Sequence, residues 1–269
     1  MRTKSRASSR QCRRRCRRSR RPSWTGRATA PGRRAGLPWF LLAALALGQS
    51  GTRVLMHGTN AFGTAVPVAA ALGMLGDAPA RDADDAARLL DRNGFAYLPI
   101  ETLAPETARL LDLRRLFGLR SPVNTAVRLL DPARAAAGVD GVFHPAYLDV
   151  HLGVAERLGR PRLVVLKGGG GEAERIPAKP GIAHIWDARA GRGTIDLPAR
   201  PLGRDEAALE PAVSFRQVWA GGTPQASGVE IVLATIGLAL IALGRFGDAA
   251  AAEAEAVRIW AARTRRTHG

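Results

Sequence analysis

A continuous apolar strand followed by four glycines is the feature that most constrains how this chain can fold. Residues 162–166 read RLVVL, and residues 168–171 are all glycine. Because the apolar run does not alternate with polar residues, it predicts a strand covered by helices on both faces, as in a parallel or mixed sheet. Such sheets bind ligands at the carboxyl ends of their strands, where glycines let backbone N–H groups approach an anion. A flexible connection without a ligand is the alternative interpretation.

Positive charge is concentrated at the N-terminus. Residues 1–34 contain thirteen Arg, one Lys and no acid. The whole chain has 40 Lys and Arg against 23 Asp and Glu, so the other 235 residues hold 26 cations and 23 acids and are nearly neutral. Because a segment so charged and so poor in apolar residues cannot fold alone, we expect a disordered Arg-rich tail, 1–34, before a domain, 35–269. Such a tail can lie along the phosphates of a nucleic acid; a solvated tail or a misassigned chain start is the alternative.

Strand and helix patterns alternate from residue 52 to residue 200. This alternation predicts an α/β domain with a mostly parallel central sheet flanked by helices. One of the helices, 105–117, has Leu110, Leu113 and Phe117 on one apolar face. We predict strands at 52–56, 94–100, 139–143 and 162–166, a hairpin of 183–188 with 192–197, and helices at 66–75, 81–92, 105–117, 121–130, 145–158, 229–243 and 248–262.

Two apolar segments have competing interpretations. The segment 37–48 follows Arg33-Arg34 and resembles a twin-arginine signal peptide, but it also fits a buried helix with Pro38 in its first turn. The segment 229–243 is apolar apart from Glu230, and it is short for a membrane span. We expect both to be buried helices of a cytoplasmic protein without a membrane span. The two cysteines, Cys12 and Cys16, predict no disulfide scaffold.

Several local motifs resemble the anthranilate phosphoribosyltransferases. The segment 113–132, LRRLFGLRSPVNTAVRLLDP, is similar to a helix and loop of that family, and His57-Gly58 stands where the family has a KHGN turn. The glycines, Glu174 and Pro177 are similar to the family's glycine loop and its Asp-Glu pair. The resemblance covers residues 37 to 262, and it implies a nucleoside phosphorylase/phosphoribosyltransferase-like catalytic domain. The positions that match in the helix and loop are Arg114, Leu116, Gly118, Arg120, Asn124 and Pro132.

The residues that differ from the family pattern lie at the positions that carry the family's chemistry. Ala173 replaces the Asp of the metal-binding pair, and Met56, Thr59 and Asn60 replace a lysine, an asparagine and an arginine of the turn. The family's GTGGD loop for pyrophosphate and its small N-terminal helical domain have no counterpart in the Arg-rich tail. Magnesium that bridges phosphates normally takes more than one carboxylate, so one of its ligands is lost. The pattern is similar to a divergent branch of the family that is associated with nucleic-acid binding.

The resemblance therefore implies two functions. The first is a protein without transfer activity that binds nucleic acid non-specifically, through Arg13, Arg14, Arg15, Arg17, Arg18, Lys167, Arg175 and Lys179. The second is a transferase that acts on a small aromatic acid with phosphoribosyl pyrophosphate and magnesium. This transferase would bind its phosphorylated substrate through His57, Gly58, Asn60, Arg114, Gly168 and Gly171, and magnesium through Glu174. We favour the first function, and a homodimer remains an open alternative in both.

Overall fold

Seven strands form one sheet in the part of the chain that the structure describes. The computed structural model describes residues 24–27, 36–60, 66–119, 121–168, 172–203, 205, 210–222 and 226–265. The strands are β1 (Trp24–Arg27), β2 (Val54–Gly58), β3 (Phe95–Pro99), β4 (Gly138–Val142), β5 (Arg162–Lys167), β6 (Gly181–Asp187) and β7 (Gly191–Leu197). Their order is β3-β2-β1-β4-β5-β6-β7. Since β1 to β5 pair in parallel and only β6 and β7 are antiparallel, the predicted α/β class is confirmed.

Strand β1 lies in the middle of the sheet, between β2 and β4. It is in register with β2 from Trp24 opposite Val54 to Arg27 opposite His57. The four residues of β1 belong to the segment that we expected to be a tail, so that expectation is corrected for them. Four residues are too few for a periodic pattern, and parallel pairing uses backbone groups that any residue provides. The other residues of the segment, including 13–18, lie outside the described residues.

Most of the helices fall close to the predicted positions, and those at 100–103 and 211–220 were not predicted. They are α1 (Trp39–Gln49), α2 (Val68–Met74), α3 (Ala83–Asn93), α4 (Ile100–Leu103), α5 (Pro105–Phe117), α6 (Val123–Ala126), α7 (Tyr147–Arg157), α8 (Pro211–Ala220), α9 (Ala226–Ala242) and α10 (Ala249–Ala262), with a 3-10 turn at Val127–Leu129. The helix predicted at 121–130 is replaced by the short α6 and the 3-10 turn. The side chain of Asn124 accepts a hydrogen bond from the Ser121 N–H, a local contact that competes with a longer helix.

Helices α1 and α9 pack on one face of the sheet and form the centre of the main core. Both are apolar on all sides, and residues such as Leu41, Leu42, Leu238 and Leu240 have no exposed surface. Helix α10 covers α9 from outside, so α9 is buried on both sides. The structure confirms a buried helix for each of the two ambiguous apolar segments. Across the described residues, no helix combines the length and the apolar character that crossing a bilayer requires.

Smaller clusters fill the opposite face of the sheet. Leu90 of α3 packs with Leu55 and Leu98 of β2 and β3. Leu152 of α7 packs with Leu163 and Val165 of β5. The central strands are therefore covered on both faces, which explains why β5 is a continuous apolar run.

Two glycines let the end of α1 contact the turn before β3. Gly94 ends α3 in the left-handed conformation, with φ of 71°, and its N–H bonds to the Leu90 carbonyl. A Cβ atom at Gly94 would lie 2.2 Å from the carbonyl oxygen of Gly48. Gly118 ends α5 in the same conformation, with φ of 68°, but a Cβ there would meet nothing within 4 Å.

We predict that Gly94→Ala destabilises the protein more than Gly118→Ala. Both substitutions force alanine into the left-handed region, which costs roughly 1–2 kcal/mol, and only the first also clashes with backbone, which adds about 1–3 kcal/mol. Urea unfolding followed by circular dichroism measures the difference between the two variants. Equal losses would mean that α1 and the α3–β3 turn are not in close contact.

Candidate functional site

The carboxyl ends of β1 to β5 lie at one edge of the sheet, which we call the carboxyl edge. Strands β2 and β3 follow β1 on one side of it in the sheet, whereas β4 and β5 lie on the other side of β1. The point between β1 and β4 is therefore the topological switch point, where open α/β sheets bind their ligands. The residues that follow β1, 28–35, lie outside the described residues. The site can be built from the ends of β2, β4 and β5.

The turn at the end of β2 is held by hydrogen bonds to β3 and α4. The Tyr97 hydroxyl donates to the Gly58 carbonyl at 3.2 Å and lies 3.0 Å from Oδ1 of Asn60. The carboxylate of Glu101 accepts from the Thr59 hydroxyl at 2.7 Å and from the Asn60 N–H at 3.3 Å. Three of the predicted site residues, His57, Gly58 and Asn60, thus lie at the end of β2 and in the turn that follows it.

Tyr97 and Glu101 are site residues that sequence reasoning missed. Burial raises the pKa of the Tyr97 phenol above its usual range, so the hydroxyl keeps its proton and remains a donor. A signal for Tyr97 was present, since a tyrosine within the apolar strand GFAYLPI needs a partner for its hydroxyl group. No sequence pattern indicated Glu101, because its hydrogen bonds join α4 to the turn after β2, and these two segments are distant along the chain.

The end of β5 supplies the second half of the site. Gly168 is buried, and its N–H bonds to the Val142 carbonyl at the end of β4, at 2.9 Å. The next residues, 169–171, lie outside the described residues, so the predicted role of Gly171 is untested. Three strand spacings separate the ends of β2 and β5, or about 14 Å. The predicted substrate residues therefore share an edge but form two groups on either side of the switch point.

Glu174, the predicted magnesium ligand, is buried at the N-terminus of α1. Its Oε2 accepts a hydrogen bond from the Phe40 N–H at 3.0 Å. The first turn of a helix has N–H groups without intrahelical partners and a partial positive charge, so a carboxylate there is stabilised. Among the described residues, no three His, Cys, Asp or Glu side chains are grouped to hold a metal ion. Glu174 therefore has a hydrogen bond inside the protein, and its predicted role as a magnesium ligand stays a prediction.

Arg175, predicted to contact phosphate, is buried instead. Its guanidinium forms an ion pair with Glu253 of α10 and donates to the Pro198 carbonyl at 2.8 Å. Its backbone N–H donates to the Thr235 hydroxyl of α9 at 3.1 Å. Glu253 also accepts from Arg200, at 2.8 Å. The prediction for Arg175 is corrected, because a buried cation needs a paired partner inside the protein and has one here.

The two predicted lysines are exposed and lie at the carboxyl edge. Lys167 is the last residue of β5. Lys179 comes shortly before β6, which runs antiparallel to β5 with Ala183 opposite Leu166. The start of β6 therefore lies beside the end of β5. Arg114 is half-buried on α5, a helix whose start follows the end of β3.

Exposed aromatic side chains follow β4 at the same edge. Phe143 is 49% exposed, and its ring makes an edge-on contact with the ring of His144, with 4.7 Å between centroids. Because Val142 is opposite Lys167, the Phe143 backbone comes next to the end of β5. The described part of the carboxyl edge thus presents cations, an aromatic surface and the exposed residue Glu101, whereas Glu174 is buried.

The chain is similar to known transferases over most of its length. The profile described as "Glycosyl transferase family, a/b domain" matches residues 40–260. Anthranilate phosphoribosyltransferase 2 of Streptomyces coelicolor is 31% identical over 227 residues, which are 80% of this chain and 67% of that protein. Anthranilate phosphoribosyltransferase of Corynebacterium aurimucosum is 26% identical over 205 residues, which are 72% of this chain and 58% of that protein. The chain thus spans about two thirds or less of the length of these curated relatives.

Solved structures share the fold. The anthranilate phosphoribosyltransferase of Thermus thermophilus superposes with a TM-score of 0.74 at 24% identity, covering 90% of this chain and 74% of that one. The enzyme of Saccharomyces cerevisiae, in complex with PRPP and Mg, superposes with a TM-score of 0.69 at 16% identity, covering 89% of this chain and 70% of that one. At these identities the likeness establishes the architecture alone.

We predict that Arg175→Ala strongly destabilises the protein, whereas Lys179→Ala does not. Removing Arg175 leaves the buried carboxylate of Glu253 with one partner fewer, which costs about 3–5 kcal/mol, and an exposed lysine contributes within about 0.5 kcal/mol. Thermal and urea unfolding of both variants measure these losses. A stable Arg175→Ala variant would return this residue to the list of candidate phosphate contacts.

Proposed function

Because the chain belongs to the glycosyl transferase family, whose α/β domain matches residues 40–260, we propose that it is a phosphoribosyltransferase-like protein that binds nucleic acid. We propose further that it does not carry out magnesium-dependent phosphoribosyl transfer. The observation that carries this proposal is the position of Glu174, whose carboxylate is bound to the N-terminus of α1.

Phosphoribosyl transfer needs positive charge at the departing pyrophosphate. In such a reaction the protein mainly positions the reactants and stabilises charge, and magnesium supplies much of that stabilisation. In this chain Ala173 stands at one position of the metal-binding pair, and Glu174 is buried and hydrogen-bonded to Phe40. Both observations support the loss of a magnesium site.

Cations and one aromatic ring at the carboxyl edge support nucleic-acid binding. Lys167 and Lys179 are both exposed at the carboxyl edge, and a phosphodiester backbone is neutralised by such groups with release of counterions. Phe143 next to them offers a surface on which a base can stack. The Arg-rich segment adds sequence-independent affinity, since residues 1–34 hold fourteen cations and no acid. These groups recognise phosphate and base faces, so we propose binding without sequence preference.

An active transferase is the second candidate function. Two observations favour it: the 31% identity to anthranilate phosphoribosyltransferase 2, and the fold shared with a yeast enzyme in complex with PRPP and Mg. In this case Gly168 and the turn at His57 would lie around the phosphates, and Arg114 would face a small aromatic acid. An assay of turnover separates the two functions.

We predict no turnover of anthranilate by the full-length chain with phosphoribosyl pyrophosphate and magnesium. The loss of anthranilate fluorescence should equal the background without protein, because Ala173 stands at one position of the metal-binding pair and the Glu174 carboxylate accepts a hydrogen bond from the Phe40 N–H. An active anthranilate phosphoribosyltransferase assayed in parallel serves as the control. Turnover near an ordinary enzymatic rate, about 1 per second or more, would contradict the proposal.

We predict that Lys167→Ala with Lys179→Ala weakens binding to a fluorescent mixed-sequence DNA. Each lysine that contacts a phosphate should also lower the slope of log affinity against log salt by roughly 0.9, so the double variant should lose about two. Fluorescence anisotropy at two salt concentrations measures both quantities. The matched control is Arg157→Ala with Arg189→Ala, which removes the same charge from exposed residues at the opposite edge of the sheet.

A truncation measures the contribution of the Arg-rich segment. Removing residues 1–23 deletes eleven cations and retains β1, which a longer truncation would remove from the sheet. We expect this truncation to cause the larger loss of affinity, since the remaining residues are close to neutral. Unchanged affinity and salt slope in both the truncation and the lysine variant would contradict nucleic-acid binding through these groups.

A further inference from the structure

A cleft lies at the amino edge of the sheet, where β2 and β3 begin, and we call it the amino-edge cleft. It encloses about 640 Å³, and small-molecule sites typically enclose roughly 300–1,000 Å³. The last residues of α1, α2 and α3 surround the starts of the two strands. Each strand has five residues, so about 16 Å separates the cleft from the carboxyl edge. The cleft therefore lies at the opposite end of the sheet from the candidate site described above.

Apolar side chains form the walls of the amino-edge cleft. They come from the end of α2, from α3, from the start of β3 and from α8, and they include Leu72, Leu75, Leu89, Phe95 and Trp219. All of these except Leu89 are buried although they border the cleft, so its inner part is narrow. An apolar group that enters the cleft leaves water for contact with these side chains, and this transfer supplies much of the free energy of binding in sites of this kind.

Two sets of polar contacts hold the rim of the cleft. Arg53, just before β2, forms an ion pair with Asp91 of α3, with 2.6 Å between Nη2 and Oδ1. The Thr264 N–H donates to Oε1 of Gln49 at 2.7 Å, and Nε2 of Gln49 donates to the Thr264 carbonyl at 3.3 Å. These contacts join separate elements of the fold, so the shape of the cleft does not depend on the conformation of a single loop.

The charges that line the cleft cancel. Its described residues include two arginines, Arg53 and Arg92, and two aspartates, Asp77 and Asp91. An ion that entered the cleft would leave water without a net opposite charge to receive it, which is costly. An uncharged molecule avoids this cost, so the charge balance favours an uncharged occupant.

One hydrogen-bond donor at the wall of the cleft has no acceptor among the described residues. This donor is the buried Nε–H of Arg53. A buried donor without an acceptor loses the hydrogen bonds that it makes with water in the unfolded chain. Asp91, which binds the same guanidinium, is 58% exposed, so the ion pair has room to shift toward the cleft. A carbonyl oxygen on a bound molecule is the kind of acceptor that this donor needs.

We propose that the amino-edge cleft binds a small uncharged molecule that has an apolar body and a carbonyl group. The apolar body lies between Leu72, Leu75 and Trp219, and the carbonyl oxygen accepts a hydrogen bond from Arg53. Three independent observations carry the proposal: the walls favour an apolar body, the balanced charges disfavour an ion, and the unsatisfied N–H favours an acceptor. This inference does not depend on the proposed function.

Binding of prodan, an uncharged naphthyl ketone, to the full-length chain tests the proposal. The emission of prodan moves to shorter wavelength when the probe leaves water, so a titration gives its dissociation constant. We expect saturable binding, which Arg53→Leu should weaken about tenfold because a hydrogen bond from a charged donor is lost. Acetylnaphthalene, which is uncharged, should displace prodan, and naphthoate, the carboxylate of the same ring system, should displace it about tenfold less effectively.

A substitution at the mouth of the cleft tests where the probe binds. Ala78 is exposed and borders the cleft, so the indole of Ala78→Trp should occupy the entrance and remove saturable binding. Ala250→Trp is the matched control, because Ala250 is also exposed and lies in the first turn of α10, outside the cleft. Circular dichroism checks that each variant is folded.

The outcomes decide the proposal in either direction. Weaker binding of prodan to Arg53→Leu and to Ala78→Trp, with unchanged binding to Ala250→Trp, would support it. Prodan that binds equally well to Ala78→Trp would lie elsewhere, for example on the exposed Leu116 and Phe117 of α5, and would overturn it. Absence of saturable binding, unchanged binding to Arg53→Leu, or equal displacement by acetylnaphthalene and naphthoate would each overturn it as well.

Discussion

The segment that follows the glycines is tied to the helices by buried carboxylates, and the arrangement of the carboxyl edge depends on these ties. Glu174 stabilises the N-terminus of α1, which lies in the main core. Arg175 reaches Glu253 of α10, and its backbone reaches Thr235 of α9. The three helices that cover one face of the sheet are thereby joined to the end of β5. Each tie satisfies a buried polar group that would otherwise destabilise the fold.

The same ties determine which groups remain for binding. The Glu174 carboxylate is hydrogen-bonded at the N-terminus of a buried helix, and the Arg175 guanidinium lies inside an ion-pair network. Among the described residues, Lys167, Lys179 and Phe143 are exposed at the carboxyl edge. The edge therefore belongs to an architecture that the matched transferase structures share, and it exposes Lys167 and Lys179.

The elements with a clear periodic or compositional pattern could be predicted from sequence. Helix α5 has the predicted bounds, and β5 extends the prediction by one residue. Strand β1 was missed because its pairing is made by backbone groups within an Arg-rich segment. Leu110, Leu113 and Phe117 were identified correctly as one face of helix α5, but a helical wheel cannot tell whether that face is buried, and the structure leaves it exposed.

The sequence by itself determined the α/β class, most helices and strands, the family resemblance, and the positions at which the family's carboxylate and lysine are replaced. These properties depend on local composition and on residues read one at a time. The tertiary structure decided that Glu174 caps α1, that Arg175 is buried against Glu253, and that Lys167 and Lys179 share an edge. These contacts join residues separated by up to 134 positions along the chain, and their partners are set by packing. The role of a charged side chain follows from its burial and its partner, which no local pattern of residues encodes.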